Sequence, residues 1–216
     1  MHRGPKTIST PFIEVTTKRV CEDCNTGWLG RIEIGAKAVF EPLLDAETKM
    51  ITEMDRWIIA RWFTKTILTA QLALVSRSAT GIVADDAYRS FYEKPQPFNN
   101  SVILISGYQG PIPPIAYEMS SITDSEGWGF RVLFHFHRLV LTAFVAEPDK
   151  QITLAWPHNF HTACHLMWPP QRGFLGMEDP TLSHSWPPPY VLDQAAIELF
   201  LETMRKNSEQ PSHGSD

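Results

Sequence analysis

The stretch Arg19 to Glu33, Arg-Val-Cys-Glu-Asp-Cys-Asn-Thr-Gly-Trp-Leu-Gly-Arg-Ile-Glu, decides how this chain is read. Cys21 and Cys24 have the spacing that lets one tight turn aim two thiolates at a single Zn²⁺, with Asn25 and Gly27 supplying turn chemistry. Structural zinc takes four ligands, so the pair is half of a site. The remaining cysteine, Cys164, has no cysteine neighbour in the sequence. Beyond the pair, Trp28, Leu29, Ile32, Ala36, Val39, Phe40 and Leu43 recur at helical spacing and predict an amphipathic helix from Trp28 to Leu44, with Pro42 near its end. Trp28 on that stripe is expected to pack in the core, base stacking being the alternative.

Working outward, Phe12, Ile13 and Val15 alternate with Thr16, Thr17 and two cations, which predicts a short strand from Phe12 to Val20 delivering Cys21 to the turn. Met1 to Thr10 is polar with Gly4 and Pro5 and reads as a disordered or poorly anchored lead-in. Lys18, Arg19, Arg31 and Lys37 form a small basic patch, a candidate contact for DNA phosphates or else a solvated face. The 216-residue chain is 43% hydrophobic and 20% charged, which is globular composition, and its net charge of −5 supplies no global attraction to a phosphate backbone. Three cysteines cannot make an even disulfide framework. With no signal peptide and no apolar run of bilayer length, a cytoplasmic protein without membrane contact is expected.

Thr52 followed by Asp55 predicts a capped helix running to about Val75. Its apolar residues, from Trp57 to Leu74, wrap most of the circumference, so it should be buried on several sides. Arg61 and Lys65 share one face, as rim ion pairs or as phosphate contacts. Asp85 or Asp86 caps a short helix to Tyr92. After Asn100 the period becomes extended. Val102 to Tyr108, Ile115 to Ser121, Phe130 to His137 and Leu139 to Ala146 read as an antiparallel meander, and Gln151 to Trp156 as a last short strand. His135 and His137 fall on one strand face, read as solvated.

His158, His161 and His165 at spacings of three and four would share a helix face with Cys164 near, a zinc constellation by residue type. The plainer reading is surface histidines beside a buried Cys164. A nucleophilic role for Cys164, with a His base and Asp179 as orienter, lacks any nucleophile elbow. Trp168 to Tyr190 is proline-rich and reads as an extended strap over the sheet or a loop. Asp193 or Gln194 opens a helix carrying Ala196, Leu199, Phe200 and Met204 on one side, and residues 207–216 read as a disordered tail.

The segment Val20-Cys21-Glu22-Asp23-Cys24-Asn25-Thr26-Gly27-Trp28 resembles the second Cys-x-x-Cys knuckle of HNH-endonuclease-like bacterial and phage proteins. The likeness continues through the Trp57 to Thr66 helix, the antiparallel strands, Trp168-Pro169-Pro170 and the closing acidic helix. In that architecture a ribbon and a helix hold one catalytic divalent metal, Mg²⁺ or another, and a His is the general base. The resemblance implies that Cys21 and Cys24 are structural zinc ligands and that Asn25 is the last metal ligand. Family members also carry an earlier Cys-x-x-Cys pair and an Asp/Glu-His motif. His2, the one histidine before the knuckle, does not match that motif.

The expectation is therefore an α+β protein: a partial HNH-like knuckle with its exit helix over residues 1–48, an α+β domain over 49–206, and a tail over 207–216. Its implied function is that of the C-terminal part of an enzyme hydrolysing DNA phosphodiester bonds, with this chain alone lacking the general base and so inactive. Two alternatives stand beside it. One is a non-catalytic module binding nucleic acid or protein, including a homodimer that shares one zinc. The other is an unrelated metal-dependent hydrolase built on His158, His161, Cys164 and His165.

Overall fold

Thr52 and Asp55 close a reciprocal cap. The Thr52 amide and hydroxyl donate to the Asp55 carboxylate at 3.0 and 2.9 Å, and the Asp55 amide donates back to Thr52 Oγ1 at 3.1 Å. Lys49 Nζ adds a contact of 3.2 Å to the same carboxylate. From this cap runs the longest helix, α3 (Glu53–Val75). Ile59, Phe63 and Ile67 have no exposed surface, and no described side chain from Asp55 to Leu72 is exposed, so the helix is buried on several sides. Burial alone would push the Asp55 carboxyl up; the bonds from Thr52 and Lys49 outweigh it and hold it below the usual range. Its contribution to stability is thus full above the ordinary carboxyl pKa and lost as pH falls through the lowered one. Thr52→Ala is expected to lower stability by about 1 kcal/mol at neutral pH. The gap from the parent protein should narrow on acidification, as read from urea midpoints.

The structure is a computed structural model and describes residues 7–10, 20–75, 83, 85–111, 117–124, 127–146, 163–169 and 184–209. The chain begins with β1 (Thr7–Thr10), then α1 (Glu22–Cys24), a π-helical segment (Asn25–Leu29) and α2 (Gly30–Leu44). β2 (Lys49–Ile51) precedes α3, and α4 (Asp85–Glu93) follows it. Next come β3 (Ser101–Gly107), β4 (Tyr117–Asp124), β5 (Gly127–Phe136), β6 (Leu139–Ala146) and β7 (Cys164–Trp168). The last elements are β8 (His184–Trp186) and α5 (Gln194–Glu209). The protein is α+β. Six strands form one antiparallel sheet in the order β1-β4-β5-β6-β3-β7, and β2 pairs with β8 in a separate ribbon. Among the described residues no helix is long and apolar enough to cross a membrane.

The order of the sheet corrects the simple meander. Only β4, β5 and β6 follow one another; β3 lies against the far side of β6, with Ile103 opposite Ala143 and Ile105 opposite Leu141. Thr7–Thr10, expected in a disordered lead-in, is instead the edge strand, with Ile8 opposite Met119. Backbone pairing suffices to order this short, mostly polar segment beside a strand whose outer hydrogen-bonding groups need partners. The expected strands Phe12 to Val20 and Gln151 to Trp156 lie outside the described residues, apart from Val20.

Period-two alternation divides the sheet's side chains between two cores. Ile103, Ile105, Val132, Phe134, Leu141 and Ala143 join residues of α2, α3 and α4 on one face. Val102, Leu104, Leu133, Val140 and Phe144 join Ile197 and Phe200 of α5 on the other. His135 was expected on a solvated face. It is 5% exposed, because residues at and before the start of α5, together with Tyr108, cover that side. Asp193 caps α5, its carboxylate accepting the Ala196 amide at 2.8 Å. Ile197 and Phe200 face inward, whereas Leu199, expected on the buried side, is 53% exposed. Asn207 to Glu209 continue the helix instead of starting a tail.

At its described ends the proline-rich stretch is anchored by its tryptophans; residues 170–183 lie outside the described residues. Trp168 Nε1 donates to Phe98 O and Trp186 Nε1 to Leu43 O, both at 3.1 Å. Each precedes a proline, and extended backbone there suits the strand ends on which both residues sit.

Candidate functional site

Cys21 is the N-cap of α1, with extended backbone (φ −65°, ψ 153°), and its Sγ accepts the Cys24 amide at 3.0 Å. Asn25 N donates to Cys21 O at 2.9 Å, closing the first helical turn. The two sulfurs therefore start a helix; a separate β-turn knuckle is not what forms. Residues that were expected to supply turn chemistry serve the helix instead. The Thr26 hydroxyl donates to Glu22 O at 2.9 Å. Gly27 takes a non-helical conformation (φ −83°, ψ −109°) where the π-helical segment kinks. A Cβ at Gly30 would stand 3.0 Å from Asn25 O, so the kink brings the chain close to itself there.

Trp28 anchors this turn to the core. Its ring meets Phe91 at 5.8 Å and Tyr92 at 5.7 Å, so it packs against α4 as the helical stripe predicts. Its indole nitrogen is buried, and its N–H is directed toward the Cys24 sulfur. The Cys21 sulfur, followed by burial, holds the Cys24 thiol above its ordinary range, while the Trp28 indole N–H acts on Cys24 in the opposite direction. An N–H directed at sulfur favours thiolate over thiol, and thiolate is the form that ligates zinc. Two sulfurs on one turn and an indole N–H beside one of them fit half of a structural zinc site. Among the described residues no three of His, Cys, Asp and Glu converge on a common point.

Asn25 is exposed, one residue beyond Cys24. Of the candidate phosphate contacts, Lys18 and Arg19 lie outside the described residues. Arg31 is exposed, and Lys37 pairs with Glu41 on its own helix at 3.5 Å. The cations of α3 have structural partners. Lys65 pairs with Glu33, which also accepts Trp62 Nε1 at 2.6 Å and so clasps α2 to α3. Arg61 lies over the Trp57 ring, 5.0 Å from its centroid.

The second cluster does not form as a helix over its described part. Cys164 and His165 are adjacent residues of β7 and so point to opposite faces. Cys164 enters the α5-side core, 2.9 Å from Ser106 Oγ, and burial pushes its thiol up to about 12. Such a thiol is neither a ready ligand nor a nucleophile. His165, expected at the surface, is 8% exposed, its Nε2 3.1 Å from Ser185 O. His158, His161 and Asp179 lie outside the described residues.

No family model, curated protein or solved structure matches the chain.

Proposed function

We propose that this chain is the C-terminal part of an HNH-endonuclease-like protein in which Cys21 and Cys24 contribute half of a structural zinc site. The reading rests on the resemblance of residues 20–33. The observation that carries it is the first turn of the helix: two sulfurs on one turn, Cys21 exposed and Cys24 half-buried against the core, with the buried Trp28 indole N–H beside Cys24. A divalent metal, when bound in the whole protein, would polarise the scissile phosphate and lower the pKa of its water. Asn25 is the position to which the resemblance assigns the last ligand of that metal, and its exposure leaves it free to serve. Arg31 would meet the DNA backbone from the exposed face of α2, adding affinity without sequence preference.

Zinc stoichiometry tests this reading. The purified chain and its Cys21→Ser variant are compared by elemental mass spectrometry, because a tetrahedral ion needs four donors. About one ion per chain, lost in the variant, places the other two donors elsewhere in the same chain. About half an ion per chain, likewise lost, means that two copies share one site. No zinc in the parent protein removes the metal reading. Plasmid cleavage in Mg²⁺ or Mn²⁺, run beside a gel shift, then separates a nuclease from a module that binds DNA without cutting it.

A further inference from the structure

Cys21 and Cys24 carry a second chemistry that needs no metal. Cys21 is exposed, whereas Cys24 is half-buried and packs against the core beside Trp28. The first helical turn sets how they meet. Asn25 N donates to Cys21 O at 2.9 Å and Cys24 N to Cys21 Sγ at 3.0 Å, so the Cys21 side chain is folded back over the turn that carries Cys24. Residues three apart on such a turn have Cα atoms roughly 5 Å apart by helical rise and radius. A disulfide spans about 4.4–6.8 Å between Cα atoms, so the turn can be bridged without a change of backbone. The two sulfurs face one another, the Cys21 sulfur being the leading influence on the Cys24 thiol as its hydrogen-bond partner.

The two positions are unequal. Exchange with an external disulfide needs an attacking sulfur that solvent reaches and a second sulfur near enough to resolve the mixed disulfide. Cys21 meets the first need and Cys24, screened by the Trp28 indole and the core, the second. Cys164 is buried beside Ser106 Oγ and takes no part.

We infer that Cys21 and Cys24 form a thiol–disulfide exchange site whose oxidant is a small organic disulfide. The Cys21 thiolate attacks one sulfur of the oxidant, breaking its S–S bond and expelling one thiolate, which leaves a mixed disulfide on Cys21. Cys24, its proton passing to the expelled thiolate, then attacks the Cys21 sulfur, closes the Cys21–Cys24 bond and expels the second small thiol. Two protein thiols are thereby oxidised and one small disulfide is reduced to two thiols. The inference does not rest on the zinc reading; in a chain that holds zinc through this pair, closure withdraws both donors.

The test treats the reduced full chain, in the presence of a metal chelator, with bis(2-hydroxyethyl) disulfide, an uncharged probe indifferent to Glu22 and Asp23 between the sulfurs. Remaining thiols are alkylated, and the tryptic peptide from Val20 to Arg31, which contains both cysteines, is weighed. The expected product has lost two hydrogens, carries no mercaptoethanol and returns to the dithiol in dithiothreitol. In Cys24→Ser the mixed disulfide on Cys21 persists. Modification of Cys24 in Cys21→Ser is slower than that of Cys21 in Cys24→Ser by at least about tenfold, because access differs. Unreacted thiols at millimolar probe, a mixed disulfide that persists in the parent protein, bonding between chains in place of closure, or equal rates in the two variants overturns the inference. The chelator keeps this result apart from the zinc measurement. Closure in a chain that takes up no zinc removes the metal reading alone, and zinc uptake without closure removes the exchange site alone.

Discussion

Replacing Arg131 by methionine is expected to destabilise the protein by about 3–5 kcal/mol, the cost of removing one charge of a buried ion pair. Arg131 on β5 and Glu118 on β4 lie in the sheet under 10% exposed, with Nη2 and Oε1 3.8 Å apart. They stand on the face that α5 approaches, two residues along the ladder from Leu133, whose partner is Glu118. Methionine keeps much of the arginine's length while removing its charge, so cavity formation adds little. The double variant Arg131→Met, Glu118→Leu removes both charges and should recover most of the loss. Urea unfolding of the three variants measures this. A double variant as unstable as Arg131→Met would mean that packing at these positions outweighs the charges.

Trp186→Ala should cost a comparable 3–5 kcal/mol or thereabouts, as large aromatic truncations in cores do. The side chain is 2% exposed and joins the helix-side core from β8, far along the chain from its hydrogen-bond acceptor, Leu43 O. Truncation therefore opens a cavity and also removes the donor from a carbonyl in the last turn of α2. Trp186→Phe separates the two effects, since it keeps most of the volume and loses only the indole N–H. Its expected loss is about 1–2 kcal/mol. Thermal or urea midpoints read both, and equal losses in the two variants would show that the hydrogen bond, not the volume, is what matters there.

What could be read from the residues follows from which interactions are local. The start of α3 was legible because a threonine and an aspartate three residues apart form a cap from within one turn. Four of the strands were legible because β-branched and aromatic runs between turn signals need no partner to be recognised. The position of β3 beside β6 was not, because strand order is set by long-range pairing, on which periodicity is silent. His135 and His137 pattern as a polar face; that α5 and Tyr108 would cover His135 depends on residues remote in sequence. The spacing of His161, Cys164 and His165 suits a helix, yet the run Cys-His-Leu-Met-Trp before a proline is equally a strand, and β7 is what forms. At the candidate metal site the cysteine pair was visible at once, whereas the buried Trp28 N–H that bears on it was not.

The edge strand β1 also sets an order of events during synthesis. Its ladder joins Thr7 to Ser120 and Thr10 to Tyr117, so its partner leaves the ribosome roughly 5–20 s after it at the usual ~5–20 residues per second. Closing so long a loop carries an entropy cost that grows slowly with its length, and the ladder returns only four residue pairs against it. The β4-β5-β6 meander, joined by short connections, can form first. Until Thr7–Thr10 docks, β4 presents an open row of amides and carbonyls on which a second nascent chain could pair. Docking of Thr7–Thr10 thus moves this edge of the sheet from the eight residues of β4 to a strand of four, which offers a second chain fewer places to pair.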